Sequence, residues 1–160
     1  MAGGRDALLD TWDREHAATL RVIGAVPPRR WKWRPHRRSM SAGELARHIV
    51  GSEHWFCAEA LGLAPGSAGP APKDRAPAPP AALLRAAAAS HRRLSRAVRR
   101  RDARWLRGVV SFYELRMPRS RVIDLMVRHE VHHRGQLSVY VRLAGGRVPA
   151  VYGDSADEPA

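Results

Sequence analysis

His129 and His133 stand four residues apart within the segment 119–146, RSRVIDLMVRHEVHHRGQLSVYVRLAGG. At about 100° per residue, that spacing sets both imidazoles on one helix face, shared with Val122, Gln136 and Tyr140. Such a pair can grip one metal ion. Read literally, His129-Glu130-Val131-His132-His133 also matches the H-E-x-x-H pattern of zinc peptidases, in which the glutamate is the general base. That chemistry needs a third ligand downstream. No histidine follows His133, and the later carboxylates Asp154, Asp157 and Glu158 fall in a polar tail. Glu130 also points roughly 100° from His129, off the metal face. The flanking sheet usual in such peptidases has no convincing strands here to supply it.

The better third ligand lies upstream. A helix over residues 41–61 announces itself with Ser41-Ala42-Gly43-Glu44, a capping box in which the serine hydroxyl and the glutamate carboxylate satisfy free backbone N–H groups. Its inward stripe reads Leu45, His48, Ser52, Trp55, Phe56 and Glu59, with Ile49 at the edge. A histidine between Leu45 and Trp55 needs a partner. If this helix lies beside the last one, His48, His129 and His133 converge from two helices, as bundles build metal sites. Three neutral nitrogens leave positions open for water and substrate, the arrangement of a reactive site rather than a structural one.

Taken singly, each of these histidines could be a core residue bonded to a neighbour; the trio together favours ligation. His132 lies about 60° to the side of His129, a flank position. Gln136 could orient a ligand or water, and Tyr140 could donate a proton or simply pack. His16 and His91 also fall on inward stripes and read as satisfied core histidines. A metal-bound imidazole normally gives its second nitrogen to a carboxylate or carbonyl, for which Glu44, Glu59 and Asp124 are candidates. Cys57, mid-helix beside Phe56, reads as a small hydrophobe.

The elements that must position these residues are helical. Residues 6–26 repeat Leu8, Trp12, His16, Thr19 and Ile23 at helical spacing and stop at Pro27-Pro28. Trp31 and Trp33 follow in a basic link and are expected to clamp the bundle end. Residues 62–80 are Pro, Ala and Gly and are expected to form a flexible connection. A third helix over 81–101 carries Leu83, Leu84, Ala87, His91, Leu94 and Val98 on one side. A β-like or irregular run at 109–115 precedes the final helix, which opens near Ser120 and closes at Gly145-Gly146. The whole, 160 residues, reads as one domain, 1–160, with a tail over 147–160. Four amphipathic helices without repeats predict an antiparallel bundle, and the long connection leaves room for a crossover.

Lys plus Arg number 28 against 15 Asp plus Glu, a formal +13. Such an excess can dock nucleic acid. Here the basic pairs are scattered without stacking aromatics, and alanine and arginine together dominate the composition, so nucleic acid is not the expected partner. A single cysteine excludes an internal disulfide, the start MAGGRDALLD has no leader character, and no apolar run nears the ~20 residues of a membrane span. The expected location is cytoplasmic.

Several of these residues together resemble the DinB family: His129-Glu-Val-His-His133-Arg-Gly-Gln136-Leu, Ser41-x-x-Glu44-Leu-x-x-His48-Ile49, Trp33-x-Pro35, Arg142-Leu-x-Gly145, and Val148-Pro149-x-Val-Tyr152-Gly153-x-Ser155-x-Asp157-Glu158. The likeness is strong at both histidine segments and the tail and weak over the connection and third helix. It implies an all-α four-helix bundle in up-down-down-up order, often a homodimer. It also implies a divalent metal on His48, His129 and His133, zinc ahead of nickel, iron or manganese. Relatives include thiol S-transferases and a thiol-dependent isomerase that use low-molecular-weight thiols. The resulting expectation is a metal-dependent enzyme acting on a small molecule, thiol transfer ahead of hydrolysis, with a non-catalytic metal, ligand or nucleic-acid binder as the alternative.

Overall fold

The computed structural model describes residues 3–63 and 80–159. Four long helices form the bundle: α1 (Gly3–Gly24), α2 (Ala42–Trp55), α3 (Pro80–Arg99) and α5 (Arg119–Leu143). The short helix α4 (Ala103–Arg107) and the hairpin β1 (Val109–Phe112) and β2 (Leu115–Pro118) intervene before α5. Most of the connection expected over 62–80 lies outside the described residues. None of the described helices is long and apolar enough to cross a membrane.

Residue pairs across the interfaces fix the topology. Asp10 and Asp13 of α1 meet Arg99 and Ser95 of α3, so these helices run antiparallel. His48 meets His133 while Cys57, farther along, meets Met126, so α2 and α5 are antiparallel too. Glu15 contacts Arg134 and Ala25 contacts Gly146, which makes α1 and α5 parallel. The order is up-down-down-up. Helix α1 packs on α3 and α5, helix α2 packs on the same two, and α1 and α2 face each other across the diagonal.

Local chemistry explains the helix ends. Ser41 accepts from the Glu44 N–H while Glu44 accepts from the Ser41 N–H at 2.6 Å, the full capping box. Helix α5 stops where Gly145 takes φ +77°, with Gly145 N–H on Arg142 C=O and Gly146 N–H on Val141 C=O, a Schellman ending. After Trp55, helix α2 widens into one π turn (Phe56–Ala60), in which the Leu61 N–H reaches back five residues to Phe56 C=O.

The interior has two apolar clusters separated by a polar layer. One gathers Leu9, Trp12, Phe56, Leu94, Ile123 and Met126; the other gathers Ile23, Trp31, Leu45, Ile49, Ala87 and Leu137. Between them each long helix contributes buried polar groups: His16 and Thr19 from α1, Glu53 from α2, Ser90 and His91 from α3, Glu130 and Arg134 from α5. Trp31 does close one end of the bundle. Its buried indole lies over Gly43, where an added Cβ would come 2.5 Å from Trp31 Nε1. Gly43→Ala is therefore expected to cost about 1–3 kcal/mol through overpacking, read as a lowered midpoint in chemical unfolding; an unchanged midpoint would show that the indole can shift freely.

Three local features refine or correct the expectations. The run at 109–115 is a true antiparallel hairpin, Val109 paired with Pro118 and Phe112 with Leu115. Helix α4, capped by Asp102 on the Trp105 N–H, is too short for periodicity to reveal. The inward stripe of α2 is displaced by about one residue: Trp55 and Glu59 are exposed, while Glu53 and Cys57 are buried, because α2 packs on both α3 and α5.

Candidate metal centre

The antiparallel pairing of α2 and α5 sets His48 opposite the turn that carries His129 and His133. One ligating nitrogen from each lies within 4.8 Å of the others. His48 Nε2 and His133 Nε2 are 3.2 Å apart. Two nitrogens bound to one tetrahedral zinc at 2.0–2.1 Å would be about 3.3–3.4 Å apart, so the donor set fits a cation of that kind. All three rings are partly buried in the groove between the helices.

Gln136 completes the arrangement. His133 Nδ1 donates to Gln136 Oε1 at 2.7 Å, which fixes the tautomer that leaves the Nε2 lone pair facing His48. The amide N–H of the same Gln136 donates to His132 Nε2 at 3.1 Å. His132 is exposed and belongs to this outer contact rather than to the converging trio. Burial depresses His48, with the His133 charge adding to it. Burial and then the charges of His133, His48 and His132 bring His129 down to about 4. Both are therefore neutral near pH 7, the protonation state a metal requires. Gln136→Ala is expected to weaken zinc binding about 10–100-fold, the usual cost of losing a partner that orients a ligand. Competition against a chromophoric chelator measures it, and unchanged affinity would remove Gln136 from the site.

Three of the other sequence candidates, Tyr140, Glu44 and Asp124, are engaged elsewhere. Tyr140 packs edge-on against Trp33 with ring centroids 5.9 Å apart. Glu44 is engaged in the helix cap and with Arg34, and Asp124 pairs with Arg121 and Arg128. Glu59 lies along the wall of a cavity of about 520 Å³ that opens beside the histidines. His48, His129, Arg47 and Ser52 line it together with the aromatic side chains of Trp55 and Tyr113. Tyr113, 81 % exposed at the hairpin tip, holds the left-handed φ of 51°. The cavity thus combines the imidazoles of His48 and His129 and the Arg47 guanidinium with the aromatic side chains of Trp55, Phe56 and Tyr113.

In the bundle core, away from the trio's groove, sits a group that helical periodicity concealed. His91 Nδ1 donates to Glu53 Oε1 at 2.6 Å and its Nε2 donates to Asp13 Oδ1 at 2.9 Å. Trp12 Nε1 also donates to Glu53 Oε1, at 2.8 Å. His16 stacks on His91 with centroids 3.9 Å apart. Burial alone would lower His91, but the Glu53 and Asp13 carboxylates outweigh it and the net shift is upward. Burial would likewise raise Glu53, and His16 and His91 reverse it, leaving that carboxyl well below its ordinary range. Glu130 goes the other way, up to about 7, through burial and the neighbouring Glu53 charge. Glu130 thus faces the core and not the histidine trio, as its helical angle predicts. Glu53 had no sequence signal beyond its place in an otherwise apolar helix face.

A four-helix bundle in up-down-down-up order, with three imidazoles from α2 and α5 in one groove, defines a class of helical proteins with a candidate metal centre. This chain belongs to the DinB family, whose family model matches residues 1–160. An uncharacterised protein of Bacillus subtilis (strain 168), YrdA, is 26 % identical to it over 160 residues, covering 96 % of this chain and 90 % of that one. A DinB-like crystal structure from Bacillus cereus ATCC 10987 superposes with a TM-score of 0.81 at 22 % identity, covering 92 % of this chain and 97 % of the other. A second, YjoA from Bacillus subtilis, gives 0.70 at 21 % identity over 87 % and 92 % of the two chains.

Proposed function

We propose that this protein is a metal-dependent enzyme that joins a low-molecular-weight thiol to an electrophilic small molecule, with His48, His129 and His133 holding a divalent cation, zinc before nickel, iron or manganese. The convergence of those three imidazoles, two of them kept neutral by burial, is the observation that carries the reading. A bound cation of this type lowers the pKa of a coordinated thiol or water and supplies a nucleophile at neutral pH.

The chain's own residues supply the rest. Gln136 holds His133 in its binding tautomer. Arg47 beside the cavity suits an anionic group of the incoming thiol, and Trp55 and Tyr113 suit the apolar part of its acceptor. The thiol must come from outside. Cys57 is the single cysteine, fully buried, and burial pushes its thiol well above the ordinary value.

Turnover of a chromogenic electrophile by zinc-loaded protein, with and without a panel of cellular thiols, tests the reading. The expected outcome is rate acceleration by at least one thiol that disappears on chelation. Metal-dependent loss of an ester or amide substrate, with no thiol effect, would establish the hydrolase alternative. Absence of both would leave a metal or ligand binder. A homodimer is the further expectation from the family resemblance, and light scattering of the purified protein checks it.

A further inference from the structure

The polar layer in the bundle core is the second place where metal-ligating side chains meet. His16, Glu53 and His91 offer one ligand atom each within 4.8 Å of one another, and all three residues are buried. They come from α1, α2 and α3. The fourth long helix adds Glu130, whose Oε1 stands 3.7 Å from His16 Nδ1; Glu53 Oε1 stands 3.4 Å from that same nitrogen. One donor from each helix, two imidazoles and two carboxylates, is a donor set that bundles use for first-row cations.

Hydrogen bonding within the layer is incomplete in a way that points to a ligand. Both Glu130 oxygens, Glu53 Oε2 and His16 Nε2 are buried without a hydrogen-bond partner. Glu130 itself is only 4 % exposed. A layer serving only as an internal ion pair has no reason to leave three carboxylate oxygens unsatisfied, since each costs desolvation without return. The outer contacts of a metal site are already in place. Asp13 accepts from His91 Nε2 and Trp12 donates to Glu53 Oε1, the partners that orient ligating side chains, and an ion would displace the proton through which His91 Nδ1 now bonds that same Glu53 Oε1. A cleft of about 620 Å³ between α1 and α3, lined by Asp13, His16 and His91, gives solvent a way to the layer. Arg92, Arg96, Arg99 and Arg100 also line the cleft, so a cation approaching the layer meets like charge.

We propose that His16, Glu53, His91 and Glu130 form a second cation site, buried in the bundle core and separate from the His48–His129–His133 trio, that takes a small divalent first-row ion. Two carboxylates would balance the ion's charge inside the bundle, and its natural occupants are zinc, iron(II) or manganese(II).

The test uses full-length protein carrying His48→Ala, His129→Ala and His133→Ala together, so its outcome does not depend on the surface centre or on any activity. The metal-free protein is incubated for hours with cobalt(II), and bound ion is counted after gel filtration while visible absorption reports ligation. One cobalt per chain, with a raised thermal midpoint, is the expected result. Adding Glu130→Gln, chosen because it keeps the size and polarity of the side chain beside Thr19 and His16, should then weaken cobalt binding at least tenfold with the helical circular dichroism unchanged. A folded triple variant that binds no cobalt overturns the proposal. So does cobalt retained at equal affinity after Glu130→Gln and after His16→Gln.

Discussion

Replacing His133 by alanine should weaken zinc binding by at least about a hundredfold, because losing a direct ligand exceeds the 10–100-fold cost of losing the residue that orients one. His48→Ala should do the same, and His132→Ala should not, since His132 touches only Gln136 and the flank of the trio. Calorimetric titration of chelator-treated protein with zinc separates the three. Equal losses in all would mean a diffuse histidine patch, and no loss in His48→Ala would remove α2 from the site. The same residues carry a pH signature. His48 and His129 are depressed below the ordinary value of 6.5, His129 to about 4. The unfolded chain therefore binds protons on these groups before the folded one does. Below 6.5 they favour unfolding, and their penalty fades as pH rises toward 6.5. A bound cation should deepen that acid sensitivity, because protons then compete with it as well.

Removing the Glu53 carboxylate is expected to be the most damaging single change to the fold. Glu53→Ala leaves the His91 ring, the Trp12 N–H and the His16 ring without their common acceptor inside the bundle. Breaking a buried charge pair by removing one member costs about 3–5 kcal/mol, which for a chain of this size lowers the thermal midpoint by roughly 10 °C or more. Glu53→Gln keeps an acceptor for Trp12 and should cost less. A loss under about 1 kcal/mol in Glu53→Ala, at the level of an exposed pair, would show that water fills the gap. The pH dependence follows from the two partners. The raised His91 contributes fully below 6.5 and loses its contribution as pH climbs through its higher folded value. The depressed Glu53 contributes above 4.5 and loses it as pH falls toward about 2. The pair therefore stabilises most between 4.5 and 6.5. The stability difference between wild type and Glu53→Gln, measured without metal, should shrink above that window.

The histidine trio was readable because its geometry is local. His129 and His133 share a face whatever the helix packs against, and His48 follows once α2 and α5 are neighbours. The capping box and the Gly145 ending were readable for the same reason, since each is fixed by residues within one or two turns. The polar layer was not. A stripe drawn along α2 from Leu45 through His48 and Ser52 follows the groove that holds the trio, whereas the α3-facing side, where Glu53 stands among Ala46, Ile49 and Val50, shows no polar partner until α1 and α3 supply Trp12 and His91. Four-residue strands and the five-residue α4 were too short for periodicity to separate from loop. The tail was legible as a motif but not as a contact. Tyr152 bonds Glu15 and buried Arg134, and Asp157 and Glu158 accept the Val148 and Ala150 N–H groups, so the tail is folded against α1 and α5.

The polar layer also bears on which of several bundles this sequence forms. The packed face of α3 is apolar at Leu83, Ala87, Leu94 and Val98, and apolar contact between helices discriminates only weakly between alignments one turn, about 5.4 Å, apart. Glu53, His91, His16 and Asp13 remove that freedom. A one-turn slip of any single helix would carry its member out of the layer and strand the others, so one alignment of the four helices is singled out from its near-equivalents. The layer acts as a key cut across the bundle, choosing an alignment that apolar packing alone would leave degenerate.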